Sequence, residues 1–372
     1  MRAAWANVLA RFGNLRTVFT VTSDGRVGRG VAAAGDATRA TFARAEPADF
    51  FDVLCARLDL FDTVLTRLVV AVDRRETLLG VCFDHLVIDG TTVRMVLSAL
   101  WAALRGEEPP DPPPLGDARF VRAELATAGS AEVDRILTYW RATTGGHHSY
   151  PAPHEGITRP AGVPARPETA TVPVRLGGPT GLPAGRLGRA ALLLSAVAVA
   201  FGRTTDGTAP RFVTLTQGAR RAGRNQQRIA GFLSNWLLAS VPVARSAAVG
   251  AGPAAQAMLA AMAAGDVHHA EVVRRLEPDR YGARYGPSTG LPPYSLFNYL
   301  QQLPEPRIDR GTGRTLTVPP VPGNILHGGL RVYGSEPEHG ADVAVRVVAD
   351  AGVYGAGFAA ALAEAIVVAT AP

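Results

Sequence analysis

The most informative stretch of the sequence lies in the first third of the chain and reads Asp84-His85-Leu86-Val87-Ile88-Asp89-Gly90. A histidine is followed four residues later by an acid and then by a glycine, between an apolar run that ends at Phe83 and a helix-like stretch from Thr91. This spacing lets a neutral imidazole face a cavity while the carboxylate is kept for structural use. Gly90 permits a backbone conformation or a close approach that a side chain would block. We therefore predict a functional site here, with His85 as its reactive group.

Regular patterns surround this motif and indicate an α+β protein. Residues 65–72 and 77–83 are rich in branched apolar side chains and flank a short polar turn, which predicts a β-hairpin. From Val93 to Leu104 apolar residues recur at three- and four-residue spacing, which predicts a helix with one buried face. Residues 145–173 show no periodicity and much Pro, Gly and His, so we interpret them as a long connection between lobes.

Length and charge bound the possible functions. The 372 residues exceed what one hydrophobic core usually supports, so we expect two lobes, residues 1–160 and residues 161–372. All 38 basic residues are arginine and the net charge is +6. The arginines are scattered, and their tightest cluster, at residues 220–228, has no interleaved aromatic residues, so we do not expect a nucleic-acid partner. An acidic protein or a phosphate-bearing substrate fits this charge better.

Cysteine usage and hydropathy predict a cytoplasmic protein without a membrane partner. Cys55 and Cys82 are too few for a disulfide framework in a chain of this size, which favours a reducing compartment. Charged residues at positions 11, 16 and 24 interrupt any apolar stretch long enough for a signal peptide. The most apolar helical segment, residues 190–201, is too short to span a bilayer and predicts a buried helix.

Five segments occur in the order and spacing of one known family. They are Leu15-Arg16-Thr17, the motif at residues 84–90, Tyr139-Trp140-Arg141, the stretch from Gln217 to Asn235, and Ser295-Leu296-Phe297-Asn298-Tyr299. In these segments the chain resembles the condensation domains of nonribosomal peptide synthesis, within the chloramphenicol-acetyltransferase-like superfamily. The resemblance runs nearly end to end. It implies an α+β fold of two chloramphenicol-acetyltransferase-like lobes, arranged as a V around a central tunnel.

The chain departs from the family pattern in two places. Asp84 stands where the family motif, His-His-x-x-x-Asp-Gly, has its first histidine. If His85 faces the tunnel, Asp84 should face the lobe interior, held by arginine or backbone N–H groups that offset its desolvation. We expect Asp84→Asn to cost stability, because a carboxylate can accept hydrogen bonds at both oxygens. The family also has a further strand and helix before the part that matches residues 1–17, so we expect a shortened front segment.

The resemblance implies an acyltransferase of natural-product and antibiotic biosynthesis. An acyl thioester on the phosphopantetheine arm of an acyl or peptidyl carrier protein would react with a small-molecule amine or alcohol to give an amide or an ester. His85 Nε2 would accept the proton of the nucleophile or orient it. Asp89 and Gly90 would be structural parts of the motif, with Asp89 anchored by an arginine. No metal or redox cofactor would be needed.

Four residues of the second half are candidate substrate contacts under this resemblance: Asn235, Trp236, Ser295 and Asn298. The two asparagines could equally tie strands together. Trp236 would narrow the acceptor channel if it pointed inward and would otherwise belong to the core.

Other functions stay open at this stage. The acyl donor could be coenzyme A instead of a carrier protein. A third alternative is a domain without catalysis that binds a carrier protein or recruits another enzyme. The histidine pairs at residues 147–148 and 268–269 lack further ligands at usable spacing, so we expect no metal site.

Overall fold

The computed structural model describes most of the chain: residues 1–73, 76–109, 114–116, 120–122, 124, 131–146, 152–153, 157, 166–177, 185–205, 209–219, 226–279, 294–301, 307–308, 311–312, 329–336 and 342–371. The helices within these ranges are α1 (Arg2–Arg11), α2 (Ala34–Thr41), α3 (Phe50–Cys55), α4 (Gly90–Arg105), α5 (Ala131–Thr144), α6 (Arg186–Thr204), α7 (Ala247–Ala263), α8 (His269–Leu276), α9 (Ala351–Tyr354) and α10 (Phe358–Thr370). The strands are β1 (Thr17–Val21), β2 (Val27–Val31), β3 (Phe42–Arg44), β4 (Thr66–Val72), β5 (Thr77–Phe83), β6 (Leu115–Gly116), β7 (Pro167–Arg175), β8 (Arg211–Ala219), β9 (Ile229–Ala230), β10 (Ser234–Pro242), β11 (Ser295–Gln301), β12 (Arg307–Ile308), β13 (Gly311–Thr312), β14 (Leu330–Glu336) and β15 (Asp342–Asp350).

The chain divides into two compact units whose limits correct those expected from the sequence. Unit 1 comprises residues 1–126, 220–234 and 304–321, and unit 2 comprises residues 127–219, 235–303 and 322–372. Helix α5 belongs to unit 2 and not to a lobe that ends at residue 160, because Ile136 and Trp140 pack with Leu215 and Leu238 in one apolar cluster. Residues 220–234 follow α5 in sequence but return to unit 1.

Unit 1 is built on the predicted hairpin. Strand β4 pairs antiparallel with β5, and the short strand β3 lies parallel to β4 on its other side. Helices α1 and α4 pack together, and their apolar side chains share a core with residues of β4. Val87 and Ile88, from the end of the motif, are buried in this same core. The core therefore fixes the motif at the end that leads into α4.

Helix α4 begins and ends where the sequence provides its signals. The Asp89 side chain accepts a hydrogen bond from the backbone N–H of Thr92 and so caps the first turn. At the other end Gly106 adopts φ 75° and its N–H bonds to carbonyls of the last turn. Only a residue without a side chain takes this left-handed conformation at little cost. The helix predicted after Gly90 is therefore confirmed.

Unit 2 contains a six-stranded mixed sheet in the order β10–β8–β11–β14–β15–β7. Strand β11 runs parallel to both β8 and β14, whereas β15 is antiparallel to β14 and to β7. Side chains of α6, α7 and α10 form one large apolar core with side chains of this sheet. The helix predicted to be buried, at residues 190–201, is confirmed as the middle of α6.

Helix α6 has the length and composition of a membrane span. Among the described residues it alone passes that test, with 19 residues and a mean hydropathy of 1.3 over its most apolar window. The fold itself buries 72% of that window. Its apolar surface is therefore covered by the neighbouring helices and strands of unit 2, as in the core helix of a globular protein.

Strand β7 lies inside the segment predicted to be a connection, and that prediction is wrong for residues 167–173. The strand pairs with β15 along its whole length, from Pro167 opposite Asp350 to Arg175 opposite Asp342. A proline is tolerated here because β7 is the edge strand of the sheet, where a missing N–H need not break a ladder bond.

Candidate active site

The motif at residues 84–90 forms a turn between β5 and α4 in unit 1. The N–H of Asp84 donates to the carbonyl of Leu65 at 3.0 Å, just after β5 ends. His85 and Leu86 are then exposed, whereas Val87, Ile88 and Asp89 are buried. His85 thus lies on a turn rather than on a strand. Its imidazole is accessible while the residues on its helical side are packed into the core.

Asp89 joins the start of α4 to a distant segment of the chain. Its side chain is buried, with the residue 2% exposed. Oδ1 accepts from the N–H of Thr92 at 2.9 Å, and Oδ2 accepts from the N–H of Leu233, 144 residues later, at 3.0 Å. The partially positive N-terminus of the helix also favours a carboxylate at this position. The partners described for Asp89 are backbone N–H groups, where the sequence predicts an arginine.

Thr92 reinforces the same junction. Its fully buried Oγ1 donates to the carbonyl of Gly231 at 3.0 Å and accepts from the N–H of Gly231 at 3.1 Å. The hydroxyl therefore satisfies both backbone groups of one residue. We call residues 229–233 the return segment; strand β9 lies at its start and pairs with β6. The first turn of α4 holds this segment through Asp89 and Thr92 together.

Phe232, in the middle of the return segment, contacts the candidate catalytic residue. Its ring lies 4.9 Å from the His85 ring, centroid to centroid, with the planes at 68°. Such edge-to-face pairs are worth about 0.5–1.5 kcal/mol beyond the area they bury. The contact restricts the imidazole although His85 is exposed. The sequence did not predict Thr92 or Phe232 as site residues. Phe232 lies in a stretch that resembles the family, but the residue that it contacts, His85, lies 147 positions earlier in the chain.

Asp84, the residue that departs from the family motif, accepts a hydrogen bond from a backbone donor of its own turn. It is half-buried, and its Oδ1 accepts from the N–H of Leu86 at 2.9 Å. A side chain that bonds to the backbone two residues ahead forms an Asx turn, which stabilises the reversal of the chain. The carboxylate therefore shapes the turn that carries His85. Only Oδ1 is described as accepting a hydrogen bond here, whereas the stability loss expected for Asp84→Asn assumed that both carboxylate oxygens accept one.

Asp84→Asn is accordingly expected to change the free energy of unfolding by less than about 0.5 kcal/mol, because the amide oxygen can replace Oδ1. Asp84→Ala should cost about 0.5–1.5 kcal/mol, since it leaves the Leu86 N–H without this acceptor. Urea unfolding of the two variants measures the difference. An equal loss in both would show that the charge of Asp84, and not its oxygen, stabilises the turn.

Cys82 lies two residues before the motif but is not an activated nucleophile. Burial raises the pKa of the Cys82 thiol above its ordinary value, and the nearby Arg67 guanidinium opposes this rise only in part. The thiol is therefore protonated at neutral pH. A thiol in this form is a poor nucleophile and a poor metal ligand.

The predicted substrate contacts lie in unit 2, and two of them are engaged on neighbouring strands. Ser295 Oγ donates to Thr214 Oγ1 at 2.7 Å in the buried face between β11 and β8. Asn298 Nδ2 donates to Gln217 Oε1, which joins the same two strands. Both bonds tie strands together, and a contact of either residue with substrate stays a prediction.

Asn235 and Trp236 link β10 to the region of α8. Asn235 Nδ2 donates to the carbonyls of Gly265 and Val267, and its Oδ1 accepts from the N–H of His269 at 2.8 Å. The half-buried Trp236 ring stacks on His269, with centroids 5.5 Å apart. Trp236 packs against the apolar cluster of α5, β8 and β10, so it has the environment of a core residue. Their role in substrate binding stays a prediction.

The histidine pair at residues 268–269 lies at the start of α8, and its two side chains occupy different environments. His268 Nδ1 accepts from the N–H of Ala270 and caps α8. His269 is buried and its ring also contacts Trp140, while His147 and His148 lie outside the described residues. Over the parts of the chain that the structure describes, no three His, Cys, Asp or Glu side chains are grouped so that they could hold a metal ion.

Solved structures match the chain from end to end. The condensation domain of the monacolin K polyketide synthase MokA matches with a TM-score of 0.73 and 16% identity, over 99% of this chain and 87% of that one. The first condensation domain of the calcium-dependent antibiotic synthetase, in complex with a substrate analogue, matches with a TM-score of 0.71 and 20% identity, over 100% and 88%. The chain has the condensation-domain fold. The predicted α+β fold of the chloramphenicol-acetyltransferase type is thereby confirmed.

A structure of a protein complex also matches the chain. The structure of the X-domain and OxyB from teicoplanin biosynthesis matches with a TM-score of 0.68 and 17% identity, over 99% of this chain and 83% of that one. No profile of a known protein family matches the sequence. No curated protein matches it either.

Proposed function

We propose that this chain is a condensation-type acyltransferase of natural-product biosynthesis. It would form an amide or an ester from an acyl thioester on a carrier protein and a small-molecule amine or alcohol. One observation carries this proposal: in a chain of condensation fold, His85 is exposed on a turn whose helical side is locked by the buried Asp89. An accessible imidazole on a rigid support is what a positioned general base requires.

The proposed reaction uses His85 at its first step. The nucleophile attacks the carbonyl carbon of the thioester while the imidazole accepts its N–H or O–H proton. The C–S bond then breaks, and the imidazole passes this proton to the leaving sulfur, which departs as a thiol. General base catalysis of this kind is worth about 10²–10⁴-fold for a hydroxyl nucleophile. An α-amine, with a pKa near 8, is partly neutral at pH 7, so orientation by His85 would matter more for it.

The proposed donor is an acyl group on the phosphopantetheine arm of an acyl or peptidyl carrier protein. The net charge of +6 supports an acidic partner of this kind, because opposite charge speeds encounter. Neither a metal nor a redox cofactor has a place in this reaction, since the thioester supplies the activated acyl group. A carrier-dependent pathway also implies a cytoplasmic setting without a membrane partner.

A second candidate is a domain that binds a carrier protein or recruits another enzyme without catalysis. Two observations favour it: the replacement of the first motif histidine by Asp84, and the similarity to the X-domain and OxyB complex. The exposed position of His85 beside Phe232 supports the catalytic candidate instead. The His85 ring is not packed in the core and makes no described hydrogen bond, so neither explains a histidine at this position.

A comparison of donors separates these functions. Acetyl, hexanoyl and aminoacyl groups are each offered as thioesters of a carrier protein, of coenzyme A and of pantetheine, together with a panel of amines and alcohols. We expect product only or mainly from the carrier-bound donors, with kcat/KM at least about tenfold above that of the coenzyme A thioester. Equal use of coenzyme A would favour a coenzyme A-dependent enzyme. Binding of the carrier protein without product from any donor would favour the recruiting domain.

A further inference from the structure

We propose that Asn14 is a positioning residue that orients the His85 turn, an inference that rests on the proposed function. Asn14 lies in the short 3-10 turn Gly13–Arg16 and is 7% exposed. Its Nδ2 donates to the carbonyl of Val87, 73 residues later in sequence, at 2.7 Å. Val87 closes the turn that carries His85. A buried side chain from the start of the chain thus holds the backbone beneath the candidate catalytic histidine.

Besides the bond that Asp84 Oδ1 accepts from Leu86 and the bond that the Asp84 N–H donates to Leu65, two backbone hydrogen bonds are described within the turn. The N–H of Val87 donates to the Asp84 carbonyl at 3.2 Å, and the N–H of Ile88 donates to the His85 carbonyl at 3.4 Å. Both exceed the usual N–H···O distance of about 2.9–3.0 Å, whereas the Asn14 bond is shorter than it. Rotation of the peptide plane after Val87 would swing the turn and move His85. The Asn14 bond opposes that rotation from outside the turn.

The surroundings of Asn14 satisfy only one of the two polar atoms of its amide. Asn14 is surrounded in sequence by Phe12 and Leu15, which belong to the same apolar core as Val87 and Ile88. Within the described part of the chain its Oδ1 is buried and has no hydrogen-bond partner. A buried acceptor left in this state costs about 1–3 kcal/mol. An apolar side chain would avoid that cost but would leave the Val87 carbonyl without its donor.

The orientation of the His85 ring can be read by NMR without any substrate. Phe232 stands edge to face with the imidazole, so its ring current displaces the Hε1 resonance of His85 from its random-coil position. The resonance is assigned by its loss in His85→Gln, and Phe232→Leu gives the size of the displacement. We expect Asn14→Leu to move this resonance towards the Phe232→Leu position or to broaden it. Asn14→Gln, which restores an amide, should recover part of the native shift.

The second readout is the turnover of the donor and acceptor pair that the comparison of donors identifies as active. Asn14→Leu is expected to lower kcat about 10- to 100-fold, because small misplacement of a catalytic group has effects of this size. KM should change by less than about twofold, since Asn14 is buried and its amide is bonded to the backbone of the turn. Asn14→Ala serves as the second variant if Asn14→Leu fails to fold.

Arg16→Met is the matched control, because Arg16 lies in the same 3-10 turn and donates to the carbonyls of Leu9 and Ala32, away from the motif. It should lower stability and leave both the His85 resonance and kcat near their native values. Native kcat and an unmoved resonance in Asn14→Leu, with His85→Ala inactive, would overturn the positioning role and leave the proposed function intact. An active His85→Ala would instead overturn the proposed function, and the catalytic meaning of Asn14 with it.

Discussion

His85→Ala is expected to lower turnover by about two orders of magnitude or more, because general base catalysis contributes about 10²–10⁴-fold. The melting temperature should change little, since the imidazole is exposed and its removal leaves no cavity in the core. The measurement is kcat with the active donor and acceptor pair, beside a thermal melt of each protein. The two readouts separate loss of chemistry from loss of fold.

Leu86→Ala is the matched control for His85→Ala. Leu86 lies in the same turn, is 47% exposed, and bonds to Asp84 through its backbone N–H, which alanine retains. We expect this variant to keep most of its turnover. Unaltered turnover in His85→Ala would contradict the catalytic assignment and favour the recruiting domain. Equal losses in both variants would show that the turn, and not the imidazole, is what the reaction needs.

Asp89→Ala is expected to lower the free energy of unfolding by about 2–4 kcal/mol. Loss of the cap on α4 contributes about 1 kcal/mol. The buried N–H of Leu233 loses its acceptor, which costs a further 1–3 kcal/mol or so. Urea unfolding followed by circular dichroism measures the change. Activity should fall as well, because the return segment that carries Phe232 is released.

Two further variants sharpen this test. Asp89→Asn keeps one acceptor oxygen and should cost clearly less than Asp89→Ala if backbone N–H groups are the main partners. A cost as large as that of alanine would reveal the arginine ion pair predicted from the sequence, because breaking a buried pair strands a charge. Asp36→Ala removes an exposed carboxylate paired with Arg39 and should change stability by less than about 0.5 kcal/mol. An Asp89→Ala protein that is inactive yet as stable as the native one would point to a chemical role.

Local features of the fold follow directly from the sequence. The hairpin β4–β5 and helix α4 were predicted because their apolar periodicity and end signals lie within a few residues of one another. Strand β7 was not, because it begins within a segment rich in Pro, Gly and His that predicts a connection, and its partner β15 lies far along the chain. A proline within a strand is tolerated at the edge of a sheet, and the sequence alone does not show where that edge lies.

Only those parts of the candidate site that lie close together in the sequence could be predicted. The motif and its reactive histidine are visible in seven consecutive residues. The return segment is not, because the bonds from Asp89 and Thr92 to residues 233 and 231 depend on chain reversal over about 140 positions. Asn14 was missed for the same reason, since a single polar residue between apolar neighbours carries no signal of its own. Resemblance to a family located the segments, and the structure described the hydrogen bonds that join them.

The central claim is that this chain moves an acyl group from a thioester to a nucleophile with the help of His85. Its most direct test is a single-turnover reaction of excess enzyme with an acyl-loaded carrier protein and the accepted amine or alcohol, followed by intact-mass spectrometry. We expect each carrier molecule that loses its acyl group to yield one molecule of amide or ester, and we expect this loss to be at least about a hundredfold slower in His85→Ala. Loss of the acyl group by hydrolysis alone, or an equal rate in His85→Ala, would contradict this claim.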